Sequence, residues 1–184
     1  PIIAIDARGH ASGGRQRGPR IGIDAKKNVV VTAPVVLDRT EYAKKYPTAE
    51  IYLSSSSDGG KTWTEPLQVN ELPKKAPEAL HWLAVAPAGE AHVSWLDIRG
   101  GAWQDIYYAR VAGRKVSPNV KVAVQVCECC APGLAVSEAG LPVVAWREGG
   151  NKKASRDLWI MAARSRGEFV NPRKLNGRPT NVLG

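Results

Sequence analysis

Residues 82–95 read WLAVAPAGEAHVSW, and residues 133–146 read GLAVSEAGLPVVAW. The two stretches superimpose at an offset of 51 residues, so that Trp95 corresponds to Trp146. In both, apolar residues alternate with small or polar ones on either side of a central turn, which is the pattern of two strands joined by a tight hairpin. A third copy, RIGIDAKKNVVVTA, occupies residues 20–33. The chain is therefore built from a repeated hairpin.

A second strand-like element follows each hairpin. Residues 50–53 read EIYL, residues 105–108 read DIYY and residues 157–160 read DLWI. A turn and another short strand follow each of them, so that the unit has four strands and about 50 residues, the size of a propeller blade. No helical periodicity competes with this pattern anywhere in the chain.

The repeat predicts an all-β fold, a β-propeller of four-stranded antiparallel blades of which about three are present. A closed ring needs about four to eight blades, so we expect a partial ring or a fragment of a six- or seven-bladed propeller. Another chain or a second copy would then supply the missing blades. The predicted boundaries are the end of a preceding blade at 1–19, three blades at 20–75, 76–126 and 127–175, and the start of a next blade at 176–184.

Composition limits the partners that the chain can have. Its 184 residues include 26 Lys and Arg against 17 Asp and Glu, a net charge of +9. These charges are spread along the chain, which favours a solvated surface, an anionic glycan or an acidic protein partner over nucleic acid. No apolar run is long enough to span a membrane. The chain begins at Pro1 without a signal peptide, and this trimmed appearance predicts a secreted or periplasmic protein.

The turn after the strand at 50–53 has a distinctive sequence. Residues 56–63 read SSDGGKTW, which fits the pattern Ser-x-Asp-x-Gly-x-Thr-Trp. We expect Asp58 to accept hydrogen bonds from backbone N–H groups of the hairpin, the glycines to allow positive φ and Trp63 to cover the turn. The side chains that define this motif are Ser56, Asp58, Gly60, Thr62 and Trp63.

This motif resembles the Asp box of the sialidase-like, or BNR-repeat, β-propellers. The resemblance extends over about residues 20–175, with degenerate versions of the motif around Gly113 and Gly167. It implies that the motif marks the fold and lies on the hairpin between the third and fourth strands of a blade. The active site of that family lies on the opposite face, so the motif has no catalytic role there.

The connections between strands 2 and 3 and between successive blades share one face of a propeller, which we call the rim. Several chemistry-bearing residues fall on it: Asp38, Arg39, Glu41, Tyr42, Lys44, Lys45, Tyr46, Asp97, Arg99, Trp103, Gln104, Arg147, Glu148, Asn151, Lys152, Arg156 and Asp157. Rim salt bridges would explain any single one of them. Alternatively, Arg99, Arg147 and Arg156 form an anion-binding cluster, because guanidinium groups bind carboxylates bidentately.

Similarity to sialidases implies a site with three arginines, an Asp general acid and a Tyr–Glu pair. The candidates are Asp38 as the acid and Tyr42 or Tyr46 paired with Glu41, together with the three rim arginines. The early Arg-Ile-Pro motif of that family is absent, since residues 20–22 read RIG. We therefore expect no true sialidase activity from this chain alone. Whether the protein is an enzyme stays open, with an exo-sialidase type of glycoside hydrolase as the alternative.

The three cysteines, Cys127, Cys129 and Cys130, lie within four positions. Three thiols cannot all pair internally. A Cys129–Cys130 disulfide would be strained because neighbouring Cα atoms are only about 3.8 Å apart, and a Cys127–Cys129 disulfide would close a tight ring. A thiolate metal site is the main alternative to a strained disulfide or free thiols. Soft sulfur ligands suit Cu(I), Zn or an iron–sulfur centre, and a loop with three thiols favours Cu(I). Zn would need a fourth ligand, for which the candidates are His10, His81 and His92.

The cysteine segment also resembles one found in a subgroup of bacterial exported BNR-repeat proteins. The matching residues are Cys127, Cys129 and Cys130, followed by Ala131-Pro132, Trp146-Arg147 and Arg156-Asp157. The subgroup implies no settled chemistry. Our leading hypothesis is a sialidase-like propeller with a copper or redox site on the rim near the axis, where Glu128 and the rim arginines surround the thiols. A binding subunit that completes a propeller with another chain is a further alternative.

Overall fold

The computed structural model describes residues 5, 9–11, 17–42, 44–45, 47–77, 80–101, 103–149 and 156–177. The rim candidates Tyr46, Asn151 and Lys152 lie outside the described residues, as do most of the terminal segments 1–19 and 176–184.

Three antiparallel sheets make up the described part of the chain. The first sheet contains β1 (His10–Ala11), β2 (Arg20–Ile23), β3 (Val29–Val36), β4 (Thr48–Ser56), β5 (Leu67–Gln68) and β6 (Ala76–Pro77), with the one-turn helix α1 (Arg39–Tyr42) between β3 and β4. The second contains β7 (His81–Val85), β8 (Ala91–Asp97), β9 (Asp105–Ala112), β10 (Lys115–Val116) and β11 (Val120–Ala123). The third contains β12 (Gly133–Val136), β13 (Pro142–Arg147), β14 (Leu158–Ser165) and β15 (Glu168–Lys174).

Each sheet is a meander in which strands that are consecutive in sequence pair with each other. The orders are β2-β3-β4-β5, β7-β8-β9 with β10 and β11 both on the far side of β9, and β12-β13-β14-β15. Beyond these meanders, β1 pairs with the last residues of β3, and β6 pairs with the first residues of β4. The all-β prediction and the blade-like sheets of about four strands are confirmed. The three sheets do not close a ring within the described residues.

The hairpin turns require the glycines that the repeat aligns. Gly89, between β7 and β8, has φ 91°, and Gly140, between β12 and β13, has φ 75°. This left-handed conformation costs glycine little because it has no Cβ. Gly113 and Gly167, in the turns before β10 and β15, also have positive φ. The superposition of sequences therefore identified turns with the same backbone geometry.

The second sheet lies between the other two and is buried on both faces. Every residue of β8 is buried. Trp95 of β8 belongs to the core shared with the first sheet, whereas its neighbour Leu96 belongs to the core shared with the third sheet. In β9, Tyr107 and Tyr108 divide between the two cores in the same way. Alternation of apolar side chains on both faces is what allows a sheet to pack between two others.

Strand β7 contacts both β2 and β12, so the strands that begin the three meanders lie side by side. The connection that leads into β12 therefore lies beside these strands. We call residues 124–132 the cysteine connection.

Helix α1 is the one departure from the all-strand prediction in the described ranges. Asp38 caps its N-terminus, since the Asp38 carboxylate accepts hydrogen bonds from the Thr40 backbone N–H at 2.8 Å and the Thr40 hydroxyl at 2.7 Å. A single capped turn leaves no periodicity in sequence for a prediction to detect. Among the described residues there is no helix with the length and apolarity that crossing a membrane requires.

Candidate functional site

The turn between β4 and β5 is held by hydrogen bonds to the side chain of Asp58. Its carboxylate accepts bonds from the backbone N–H groups of Lys61 and Thr62, both at 2.9 Å, and from the hydroxyl groups of Thr62 and Ser56. The Thr62 hydroxyl and backbone, with the Ser56 hydroxyl, hold the pKa of Asp58 well below its ordinary value. Trp63 donates its indole N–H to the Gly60 carbonyl at 3.0 Å. These bonds stabilise a turn and leave no group poised for chemistry.

The cysteine connection is fixed by backbone pairing with the end of β13. Val126 forms an antiparallel bridge with Glu148, and the Cys127 N–H donates to the Arg147 carbonyl at 2.9 Å. The Gly149 N–H donates to the Gln125 carbonyl at 3.1 Å. A Cβ placed on Gly149 would lie only 2.4 Å from the Val126 carbonyl oxygen, so only glycine permits this approach. Val126 itself is buried in the core between the second and third sheets.

This support brings all three sulfur atoms together. The Sγ atoms of Cys127 and Cys130 are 3.1 Å apart, those of Cys127 and Cys129 are 3.5 Å apart, and those of Cys129 and Cys130 are 3.9 Å apart. A triangle with these sides has a centre about 2 Å from each sulfur, close to the metal–thiolate bond length of about 2.3 Å. One metal ion slightly outside the sulfur plane would fit without rearrangement of the connection.

The thiols differ in exposure and in pKa. Cys127 is buried, Cys130 is half-buried and Cys129 is exposed. Burial raises the pKa of Cys127, but its sulfur contacts with Cys130 and Cys129 and the Arg147 charge outweigh burial and lower that pKa overall. Burial and the neighbouring Cys127 raise the pKa of Cys130 to about 12. The Arg147 guanidinium, with Nη1 at 3.9 Å from the Cys130 sulfur, supplies positive charge to the cluster.

The shortest sulfur pair is one that sequence reasoning missed. It weighed the pairs Cys129–Cys130 and Cys127–Cys129, but the structure brings Cys127 closest to Cys130. The signal was present in the Cys-x-x-Cys spacing, which is typical of thiol pairs on a turn. The Cys130 N–H to Cys127 carbonyl contact of 3.5 Å closes this turn.

The histidine candidates do not join the cysteines. Within the described ranges, the group of side chains close enough to share a metal ion consists of the three cysteines and contains no histidine. His81 is buried and bonds through Nε2 to the Thr32 hydroxyl at 2.9 Å. His92 is buried and bonds through Nδ1 to the Tyr108 hydroxyl at 2.6 Å. The cluster therefore offers three thiol ligands and no fourth ligand of the expected kind.

Comparison with known proteins finds similarity in structure but not in sequence. No protein-family model matches the chain, and no curated protein matches it in sequence. Three solved structures each match 86% of this chain: the Hadza microbial sialidase Hz136 with a TM-score of 0.53 and 19% identity, the Penicillium chrysogenum alpha-L-arabinanase complexed with arabinobiose with 0.54 and 14%, and the Fusarium graminearum alpha-L-arabinofuranosidase Arb93A in complex with an iminosugar inhibitor with 0.57 and 12%.

The chain has a propeller fold. At these identities the similarity shows architecture alone. The chain spans between 38% and 50% of the length of those three proteins. The described residues form about three blade-like sheets of this fold. That the chain belongs to the Asp-box family and to the cysteine subgroup stays a prediction.

The rim arginines of this propeller have different surroundings. Arg99 donates to both carboxylate oxygens of the buried Asp97, at 3.0 and 2.8 Å, and to Glu71 at 2.7 Å, while its guanidinium lies over the Tyr107 ring. Arg147 lies beside Cys130, and Arg156 precedes β14. Arg99 is therefore held in an internal salt bridge, the arrangement that a structural role requires.

The acid–base candidates of the first sheet are also bound to neighbours. Asp38 accepts a bond from Lys74 at 2.7 Å, and this contact, with Thr40, lowers its pKa far below the ordinary value. A general acid needs a raised pKa, so this environment suits a permanent carboxylate instead. Glu41 pairs with Lys44 and accepts bonds from Thr48, which lower its pKa too. Tyr42 is the last residue of α1.

Proposed function

We propose that this protein is a propeller-fold metal-binding protein that holds one Cu(I) ion on the rim, through Cys127, Cys129 and Cys130. The observation that carries the proposal is the sulfur triangle, whose three sides of 3.1 to 3.9 Å suit ligands of a single ion. No disulfide joins these sulfur atoms, and the connection that carries them is anchored through Gln125, Val126 and Cys127 to the last residue of β13 and the two residues after it.

The ligand number favours copper over zinc. Structural zinc sites are almost always four-coordinate, and the cysteine cluster contains three ligands in the described residues. Soft thiolates with fewer than four ligands suit Cu(I). Three thiolates and one Cu(I) ion would carry a net charge of −2, which the adjacent Arg147 partly offsets. The exposed Cys129 gives a route for metal exchange with a donor.

Anaerobic titration with Cu(I), followed by thiolate-to-copper absorption, tests the proposal. We expect saturation at about one Cu(I) per chain, and a weaker competition by Zn(II). Each of Cys127→Ser, Cys129→Ser and Cys130→Ser should lower Cu(I) affinity. Glu138→Gln, an exposed change of the same kind in the turn between β12 and β13, is the matched control and should leave affinity unchanged. Equal affinity in all four variants would refute the site.

A glycoside hydrolase of sialidase type is the second candidate, because the fold is shared with the enzymes compared above. Turnover of a fluorogenic sialoside would support it if Arg147→Ala abolished the turnover and Arg164→Ala did not. Arg164 pairs with Glu168 on exposed residues of the outer strands and serves as the control. Absence of turnover in the wild-type protein would count against this candidate.

A binding or assembly subunit is the third candidate, because the three described sheets leave the ring open. Another chain or a second copy would complete the ring. Native mass spectrometry distinguishes the cases, since a stable monomer would count against an assembly role.

A further inference from the structure

A groove separates the outer strand of the second sheet from the face of the third sheet. Its volume is about 550 Å³, within the range of about 300–1,000 Å³ that is usual for small-ligand sites. The residues that decide its character are Val122, Gln125, Trp146, Glu148, Trp159 and Phe169. None of the residues assigned to the metal site lines it.

Two tryptophans form one wall of the groove. Trp146 of β13 and Trp159 of β14 are directly opposite each other in the antiparallel register, so both side chains emerge on the same face of the sheet. Both are half-buried. Phe169 of β15 extends the wall and packs edge-on against Tyr108, with ring centroids 5.1 Å apart. These rings give a broad, rigid and partly solvent-accessible apolar surface.

Two polar side chains that have no partner among the described residues lie beside this wall. The carboxylate of Glu148 and the amide of Gln125 make no hydrogen bond or ion pair with any residue of the described ranges. By contrast, Lys121 at the same groove is bound to Asp105 at 2.9 Å. The backbones beside these two side chains are fixed, because Glu148 bridges Val126 and the Gln125 carbonyl accepts the Gly149 N–H. Their side chains are thus free to bind a ligand from a rigid base.

We propose that this groove binds a carbohydrate, with a pyranose ring against Trp146 and Trp159 and its hydroxyl groups bonded to Glu148 and Gln125. A sugar ring has an apolar face of C–H groups and an edge of hydroxyls that both donate and accept. A broad aromatic wall beside one carboxylate and one amide matches both requirements. A quaternary ammonium ion would also suit aromatic rings and a carboxylate, but a groove of about 550 Å³ is much larger than a cage for one cation.

Saturation-transfer NMR on the whole chain tests the groove with named probes: cellotriose, chitotriose and 3′-sialyllactose, with choline as the cation probe. We expect at least one trisaccharide to bind. Trp159→Ala should weaken that binding about tenfold, and Glu148→Gln about threefold, because each removes one class of contact. Trp103→Ala, at an exposed tryptophan that does not line the groove, is the matched control and should change affinity less than about twofold.

A far-ultraviolet circular dichroism spectrum equal to that of the wild type verifies that each variant is folded. If Trp159→Ala does not fold, Glu148→Gln decides the outcome. The proposal is overturned if no trisaccharide binds at about 10 mM, a concentration that reveals even millimolar affinity. It is also overturned if binding is insensitive to both groove substitutions, or if choline alone binds.

Discussion

Burial of His92 predicts a loss of stability in mild acid. The side chain is fully buried in β8; its Nδ1 bonds to the Tyr108 hydroxyl, and no described residue bonds to its Nε2. Burial lowers the pKa of His92 from 6.5 to about 4; the Glu90 charge opposes this shift, and the Arg110 and Arg166 charges add to it. The folded protein therefore resists protonation of an imidazole that the unfolded chain protonates readily.

The sign and size of the effect follow from these two pKa values. Between them the unfolded chain binds more protons than the folded one, so the free energy of unfolding falls as the pH falls. The values 6.5 and about 4 differ by about 2.5, and each pKa unit is worth about 1.4 kcal/mol, so the full loss is about 3 kcal/mol. About 2 kcal/mol of it should be lost between about pH 7 and pH 5. Above pH 7 the histidine contributes no pH dependence.

Urea unfolding followed by tryptophan fluorescence at several pH values measures this loss. His92→Gln keeps a polar side chain but does not titrate, so it should flatten the profile by about 2 kcal/mol between about pH 7 and pH 5. Carboxylates also titrate in acid, and the difference between wild type and variant isolates the histidine. Parallel profiles for the two proteins would show that protonation of His92 does not cause the loss of stability.

Three further substitutions test the core and the site. Arg99→Met removes the guanidinium from the buried Asp97 carboxylate, which keeps only neutral N–H donors, and should lower the free energy of unfolding by about 3 kcal/mol; unchanged stability would contradict the structural role. Trp95→Ala, at a fully buried side chain, should cost about 3–5 kcal/mol in the same urea assay. Gly149→Ala places a Cβ against the Val126 carbonyl, pushes the cysteine connection away from residue 149 and should lower Cu(I) affinity about tenfold. Gly177→Ala is the control, because a Cβ there meets open space, and it should leave Cu(I) affinity unchanged.

The fold was predictable because its signals are local and repeated. The equivalent positions of Gly89 and Gly140 are fixed by turn geometry, and both adopt positive φ in the structure. The alternation of residues in β8 predicted a strand. Only the structure shows that every residue of β8 is buried, and therefore how deeply the second sheet lies in the molecule. Such patterns survive in sequence because every repeat must satisfy the same backbone and packing constraints.

The partners of individual side chains were less predictable, because they come from distant parts of the chain. Arg99 is held partly by Glu71, 28 residues away. Sequence placed Arg99 on the rim but could not show that its charge is already neutralised. The groove at Trp146 and Trp159 had no motif either, since it depends on the register of two strands. The cysteines were the exception, because three thiols in four positions must lie near one another wherever the segment folds.

Metal content per chain is the decisive measurement for the copper site. The protein should be isolated anaerobically without chelator or added reductant, and its copper and zinc measured by mass spectrometry beside the triple variant in which Cys127, Cys129 and Cys130 are Ser. We expect about one copper per wild-type chain and none in the triple variant. A metal-free wild-type protein that also fails to bind added Cu(I), and whose three thiols are all readily alkylated, would contradict it.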